Sequence, residues 1–200
     1  MSENMLVLRK YGLSDDKIET LLLNNPGWLL QRVEWLDGVM KKVEPLLGIR
    51  PDSPRFLDGI EIVMSLSEAT LDKKLGIFRS FGWTEEEIVK MTRSLPFCLR
   101  RSEGAIKASL EWFKEEIGYE GEYLSTHPKL LVYSLEKRIV PRYRVWANLL
   151  DHNLKSGFSV STIVALSEEK FMRDFVLPYH EVVPGLYKNY VNATGLKVKC

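Results

Sequence analysis

The chain is predicted to fold as an all-α solenoid, and three observations carry that expectation. Glycines recur at a near-constant interval: Gly12, Gly48, Gly82, Gly118 and Gly157 are separated by 36, 34, 36 and 39 residues. Amphipathic stripes recur in phase with them, which is the mark of a repeat architecture. No segment alternates strictly between apolar and polar, and no Asn-Gly or Asp-Gly turn separates two β-like runs.

Each repeat opens on a short helix. Gly12-Leu13-Ser14, Gly82-Trp83-Thr84 and Gly157-Phe158-Ser159 share one start of glycine, apolar residue and hydroxyl. Ile18, Ile88 and Ile163 follow six residues after the glycine, and Leu21, Met91 and Leu166 nine residues after it. The hydroxyl is suited to cap the helix while the glycine takes the turn before it. After Thr84, Glu87 stands three residues on, and Pro96 then stops the run, as Pro26 does in the first copy.

A longer helix follows. Leu36, Met40, Val43 and Leu47 lie at i, i+4, i+7 and i+11; Ile106, Leu110, Phe113 and Ile117 repeat the spacing, as do Ile139, Tyr143, Trp146 and Leu150. Leu71, Leu75 and Phe78 form a weaker copy. Such a stripe is the narrow apolar face of an amphipathic helix. Neither helix of a unit buries its face alone, but stacked units share one core. The expectation is one domain, 1–200, of about five units near 8–47, 48–80, 81–117, 118–152 and 153–193, the second degenerate and the superhelical hand open. The aromatic stretch "FVLPYHEVVPGLYKNY" is expected to cap the last apolar face. Pro141 leaves two paths open: a long helix starting near it, or one starting at Ser134 and bending.

The net charge of +1 is unevenly spread: residues 1–72 carry −4, residues 73–144 carry +4 and residues 145–200 carry +1. No apolar run approaches the ~20 residues of a membrane span, and no membrane association is expected. The N-terminus has neither a signal peptide's apolar core nor transit-peptide character. The two cysteines, Cys98 and Cys200, form no CxxC pair. Cys98 reads as a core residue and Cys200 as a tail thiol, in a reducing compartment without a disulfide. His127, His152 and His180 show no metal spacing, and no Walker loop, GxGxxG or GxSxG motif occurs. No catalytic residue, metal or cofactor is expected. Trp28, Trp35, Trp83, Trp112 and Trp146 lie in or beside apolar stripes or unit starts and are expected in the core. Tyr133 is the better candidate for a wet position.

These units resemble the mitochondrial transcription termination factor (mTERF) family, especially its plant branch. "GWTEEEIVKMTRSLPFCLRRS" looks like the family repeat, with Pro96 and Leu99 three residues apart and Ile106 and Phe113 at seven-residue steps. Pro26, Leu29 and Leu36 fit the same frame. "HPKLLVYSLEKRIVPRYRVW" is the clearest match, and "LSEEKFMRDFVLPYHEVVPGLY" looks like the end of the plant proteins. The resemblance implies a helical solenoid that binds organellar DNA or RNA along a concave basic groove, in transcription termination, transcription regulation or RNA processing. It implies a mitochondrial or chloroplast location, binding rather than catalysis, and a monomer. Members are usually longer, more basic and led by a transit peptide; a truncated or diverged paralogue with weak binding is the variant of this reading.

The candidate contacts are cations at the helix breaks. Arg100 and Arg101 follow Pro96, and Lys107 lies one turn into the next helix. Lys137, Arg138, Arg142 and Arg144 surround Pro141. A helix start offers unpaired N–H groups and the positive end of a dipole, a natural phosphate site that arginine reinforces. Arg138 and Arg142, four apart, are expected to share a face and to be the best contacts. Their joint replacement is expected to weaken binding and flatten its salt dependence. Lys137 and Arg144 are expected to point away from the apolar stripe. The rival function is a protein–protein scaffold, which the near-neutral charge and the acidic first third favour.

Overall fold

Every regular element among the described residues is helical. The computed structural model describes residues 3–24 and 26–196, and contains no strand among them. Among the described residues thirteen α-helices run in order: α1 Glu3–Lys10, α2 Asp15–Asn24, α3 Val33–Leu47, α4 Phe56–Ser65, α5 Glu68–Ser80, α6 Glu85–Ser94, α7 Glu103–Trp112, α8 Gly121–Thr126, α9 Lys129–Val132, α10 Val140–Asp151, α11 Val160–Ala165, α12 Glu168–Phe171 and α13 Leu186–Thr194. Short 3-10 turns at Pro26–Leu30 and Pro96–Arg100 follow α2 and α6. Wider π turns lie at Phe113–Ile117, Leu135–Ile139 and Met172–Val176. The chain divides into two compact units, Met1–Pro128 and Lys129–Cys200.

Local chemistry sets the boundaries. Ser67, Thr84, Ser102, Ser134, Ser159 and Ser167 each accept a main-chain N–H at the start of the following helical segment. At Thr84 the cap is reciprocal: the Glu87 N–H donates to Thr84 Oγ1 at 3.2 Å, and the Thr84 N–H donates to Glu87 Oε2 at 2.7 Å. Two orphan donors of α6 are thereby satisfied. All five spaced glycines take positive φ, between 67° and 84°. Gly48 ends α3 in the left-handed conformation, and its N–H bonds the Glu44 carbonyl. A Cβ there would lie 2.6 Å from Val89 Cγ1.

Within the first unit, α1 packs on α3, α3 on α4, α5 on α7 and α6 on α8. The first two turns of this pattern repeat with a 70-residue register. Arg9 Nε meets Asp15 Oδ1 at 2.8 Å, and Arg79 Nε meets Glu85 Oε1 at 2.5 Å. Asn4 Nδ2 donates to the Gln31 carbonyl at 2.9 Å, and Lys74 Nζ donates to the Arg101 carbonyl. Within the second unit, α10 is the centre, packed against α11 and α13. Tyr190 of α13 is buried and lies against Phe171, so the C-terminal stretch does cover apolar surface of that unit.

The core follows a count from the helix start rather than apolar character. From the N-cap, positions +4, +8, +11 and +15 point inward. From Arg32 these are Leu36, Met40, Val43 and Leu47, all buried. From Ser102 the first three are Ile106, Leu110 and Phe113, also buried. From Ser134 they are Arg138, Arg142, Val145 and Leu149. Arg142, Val145 and Leu149 are buried, whereas Tyr143, Trp146 and Leu150 are half-buried. The expected stripe beginning at Ile139 therefore sits one residue out of register beyond Ile139 itself. The π turn brings Ile139 into the core as well. This turn also settles Pro141: the helical run starts at Ser134, and the proline, which has no N–H to donate, sits at the second position of α10 just after the wide turn.

Candidate nucleic-acid interface

The seven predicted cations fall into two groups with different physics. The arginines at +4 and +8 from Ser134 are structural. Arg142 is 0% exposed. Its Nη1 donates to the Ile163, Val164 and Leu166 carbonyls at 3.1, 3.1 and 2.6 Å. Its Nη2 donates to Glu168 Oε2 at 2.8 Å, and the guanidinium lies 4.7 Å from the Phe171 ring. Arg138 is half-buried, with Nε on the Val164 carbonyl at 2.9 Å and Nη2 on the Leu166 carbonyl at 2.6 Å. It covers the Tyr133 ring at 4.5 Å. Both therefore satisfy the orphan carbonyls and the negative dipole end of α11, a six-residue helix that ends at Ala165.

This overturns the expectation that Arg138 and Arg142 are the best phosphate contacts. A guanidinium with no solvent exposure cannot meet a polyanion, and one spent on two carbonyls has little left to offer. The electrostatics agree: burial first, and Arg142 second, push the Arg138 pKa down. Glu168 Oε1 also accepts the Tyr190 hydroxyl at 2.7 Å, so buried Arg142 and Tyr190 are joined through a half-exposed glutamate. Burial and that bond push the Tyr190 pKa up. Tyr133, expected at a wet position, is half-buried beneath Arg138.

Lys74 plays the equivalent part in the first unit, and the sequence reading missed it. It is 5% exposed, and Nζ donates to the Leu99 carbonyl at 2.7 Å and to the Arg101 carbonyl at 2.5 Å. Burial pushes its pKa down. The structure shows a common spacing that sequence pattern alone does not reveal: the donors Lys74, Arg138 and Arg142 each close a turn 21–28 residues later, and Asn4 with Gln31 conforms.

The remaining predicted cations are on the surface. Arg100 pairs with Glu61 Oε2 at 2.6 Å and lies 4.5 Å from the Phe97 ring, still 48% exposed. Arg101 is half-buried. Lys107 is exposed and 3.7 Å from Glu111. Lys137 and Arg144 are exposed, and their side chains form no ion pair or hydrogen bond among the described residues. In the first unit Arg100 ends the Pro96–Arg100 turn, Arg101 follows it and Lys107 lies on α7; in the second, Lys137 lies in the Leu135–Ile139 turn and Arg144 on α10.

The tryptophans divide. Trp83 is buried, Trp112 and Trp146 are half-buried, and Trp35 is 40% exposed. The Trp28 side chain and Cys200 lie outside the described residues. Cys98 is a buried free thiol whose pKa is pushed up to about 12 by burial. Each histidine Nδ1 sits at a nearby carbonyl: His127 at Tyr123, His152 at Asn148 and His180 at Leu177. No group of His, Cys, Asp and Glu among the described residues is arranged to hold a metal.

Comparison with known proteins gives the family. The mTERF family model matches residues 1–172. Transcription termination factor MTERF8, chloroplastic, of Arabidopsis thaliana is 28% identical over 130 residues, 64% of this chain and 25% of that protein. Transcription termination factor MTEF18, mitochondrial, of the same plant is 30% identical over 103 residues, 51% of this chain and 18% of that protein. Transcription termination factor MTERF4, chloroplastic, of Oryza sativa subsp. japonica is 26% identical over 122 residues, 60% and 23% of the two chains. The chain thus spans a quarter or less of the length of these curated relatives.

Proposed function

The chain belongs to the mTERF family, and from that premise we propose that it binds organellar nucleic acid and acts in plastid or mitochondrial gene expression, as the names of its relatives suggest. Termination or regulation of transcription is the activity those names favour. The observation that carries the reading is the family match over residues 1–172, joined to two exposed cations, Lys137 and Arg144, left unpaired on the long helical run of the second unit. In the first unit Arg100, Arg101 and Lys107 supply a second group; the Arg100–Glu61 pair is exposed and exchanges readily for a phosphate. Arg138 and Arg142 support the site by closing α11, not by touching the ligand.

Filter binding of the whole chain to DNA and RNA at several salt concentrations is the test. Each phosphate neutralised adds about 0.9 to the slope of log affinity against log salt on duplex DNA. Replacing Lys137 and Arg144 together by alanine is expected to reduce that slope by about 2. Binding indifferent to salt and to both substitutions removes the reading.

A protein-scaffold role draws support from exposed apolar side chains. Leu6, Leu23 and Leu30 of the first unit are 50%, 75% and 88% exposed. In the 70-residue register, Leu23 and Leu30 stand where Arg93 and Arg100 reach back to the Gly48 carbonyl and to Glu61. Sedimentation across a concentration range tests it: association abolished by Leu23→Glu with Leu30→Glu supports a helical partner there, whereas a persistent monomer does not.

A further inference from the structure

Between α10 and α13 lies a cavity of about 520 Å³ within the second unit. Its floor includes buried Val145 and Leu186, and its rim carries Arg144, Asn148, Asn189 and Asn192, all exposed. The spacing explains the convergence. Arg144, Val145 and Asn148 lie at i, i+1 and i+4 on α10, and Leu186, Asn189 and Asn192 recur every third residue on α13. Asn148 donates Nδ2 to the Arg144 carbonyl at 2.7 Å and keeps Oδ1 as an acceptor. The Asn189 and Asn192 carboxamides form no hydrogen bond among the described residues.

This lining is unusual for a phosphate track. A backbone contact needs cations or main-chain N–H groups, and here one guanidinium stands beside three carboxamides over an apolar floor. Each carboxamide offers a donor and an acceptor side by side, which matches the hydrogen-bonding edge of a nucleobase. An apolar floor suits the face of a flat ring, and one arginine suits one phosphate. The volume falls within the range of small-ligand sites and encloses a single residue of a strand. Paired bases are held within the duplex stack, so a pocket of this kind takes a base that is already unstacked.

We propose that the α10–α13 cavity binds one unpaired nucleotide, its base against Val145 and Leu186, its edge on Asn189 and Asn192, and its phosphate at Arg144. The proposal rests on the nucleic-acid reading above and names its substrate class as single-stranded. Fluorescence anisotropy of the full chain with one short sequence, as single-stranded RNA, single-stranded DNA, duplex DNA and a single strand of abasic residues, tests it. Intact single strands are expected to bind about tenfold tighter than the duplex or the abasic strand. Asn189→Ala with Asn192→Ala is expected to erase that difference while leaving the melting temperature unchanged, since both side chains are exposed. The RNA and DNA arms separate the two sources of such a strand. Salt-dependent binding that ignores the missing bases, or an asparagine variant that keeps the wild-type preference, overturns the pocket and leaves the general reading standing. Absence of binding to every strand overturns both.

Discussion

Arg142 and Arg144 are two residues apart and have opposite physics. Arg142 is buried, with three carbonyls and one carboxylate; Arg144 is exposed at the rim of a cavity. Removing the buried guanidinium leaves its carbonyl partners unsatisfied, while Glu168 is exposed enough to be solvated. Arg142→Met is therefore expected to lower unfolding free energy by about 1–3 kcal/mol in urea titrations, whereas Arg144→Met stays within about 0.5 kcal/mol. Lys74→Met strands the Leu99 and Arg101 carbonyls and is expected to be destabilising by about 1–3 kcal/mol. Cys98 gives a residue-scale pH test. Its folded pKa of about 12 lies above the ordinary 9.0, so burial leaves stability intact below pH 9. Above that the unfolded chain ionises first, and stability falls as pH rises toward the folded value. Alkylation at pH 8, followed on the Cys98 peptide by mass spectrometry, is expected to be negligible in the native protein and rapid in denaturant. Fast native labelling would show that the thiol is not enclosed.

Elements here are made by punctuation at both ends. The Thr84–Glu87 capping box starts α6, and Thr84→Ala is expected to be destabilising by about 1 kcal/mol. Glycines distinguish conformational strain from steric conflict. Gly12 has φ +78° with nothing within 4 Å of an added Cβ; Gly48 has φ +67° with Val89 Cγ1 at 2.6 Å. Gly12→Ala is expected to carry only the left-handed penalty of about 1–2 kcal/mol, and Gly48→Ala distinctly more. Thermal melts of the two variants compare them, and equal losses would mean that Val89 yields freely. The π turn at Leu135–Ile139 is the third device. It lets one helical run pass from the Ser134 cap through Pro141 without a break, a choice that proline rules alone leave open.

Over the whole molecule, charge is divided between holding the fold and meeting a ligand. The middle of the chain is basic, but Lys74, Arg138 and Arg142 are turned inward on carbonyls of later turns. The available positive surface is smaller than the count of cations suggests. Replacing Arg138 and Arg142 is thus expected to abolish binding by unfolding the second unit, seen as a lost cooperative melt. Replacing Lys137 and Arg144 is expected to weaken binding with the melt intact. A normal melt for the first pair together with a flattened salt slope would restore them as direct contacts.

Much of the fold is legible in the residues themselves. The all-helical class, the left-handed glycines, the Thr84 cap and the stop at Pro96 follow from short-range sterics and hydrogen bonding, which act over a few residues and leave a signature of the same length. The stripes at Leu36 and Ile106 are legible because apolar character and helical phase coincide there. They fail to coincide after Ser134, where Tyr143 and Trp146 imitate a stripe one residue out of register and arginines occupy the inward positions. Which cations face solvent is a matter of partners 21–28 residues away, so only tertiary structure decided that Arg142 closes a helix end while Arg144 stays free. The same holds for the cavity beside it, whose asparagines come from two helices that periodicity identifies separately and packing alone brings together.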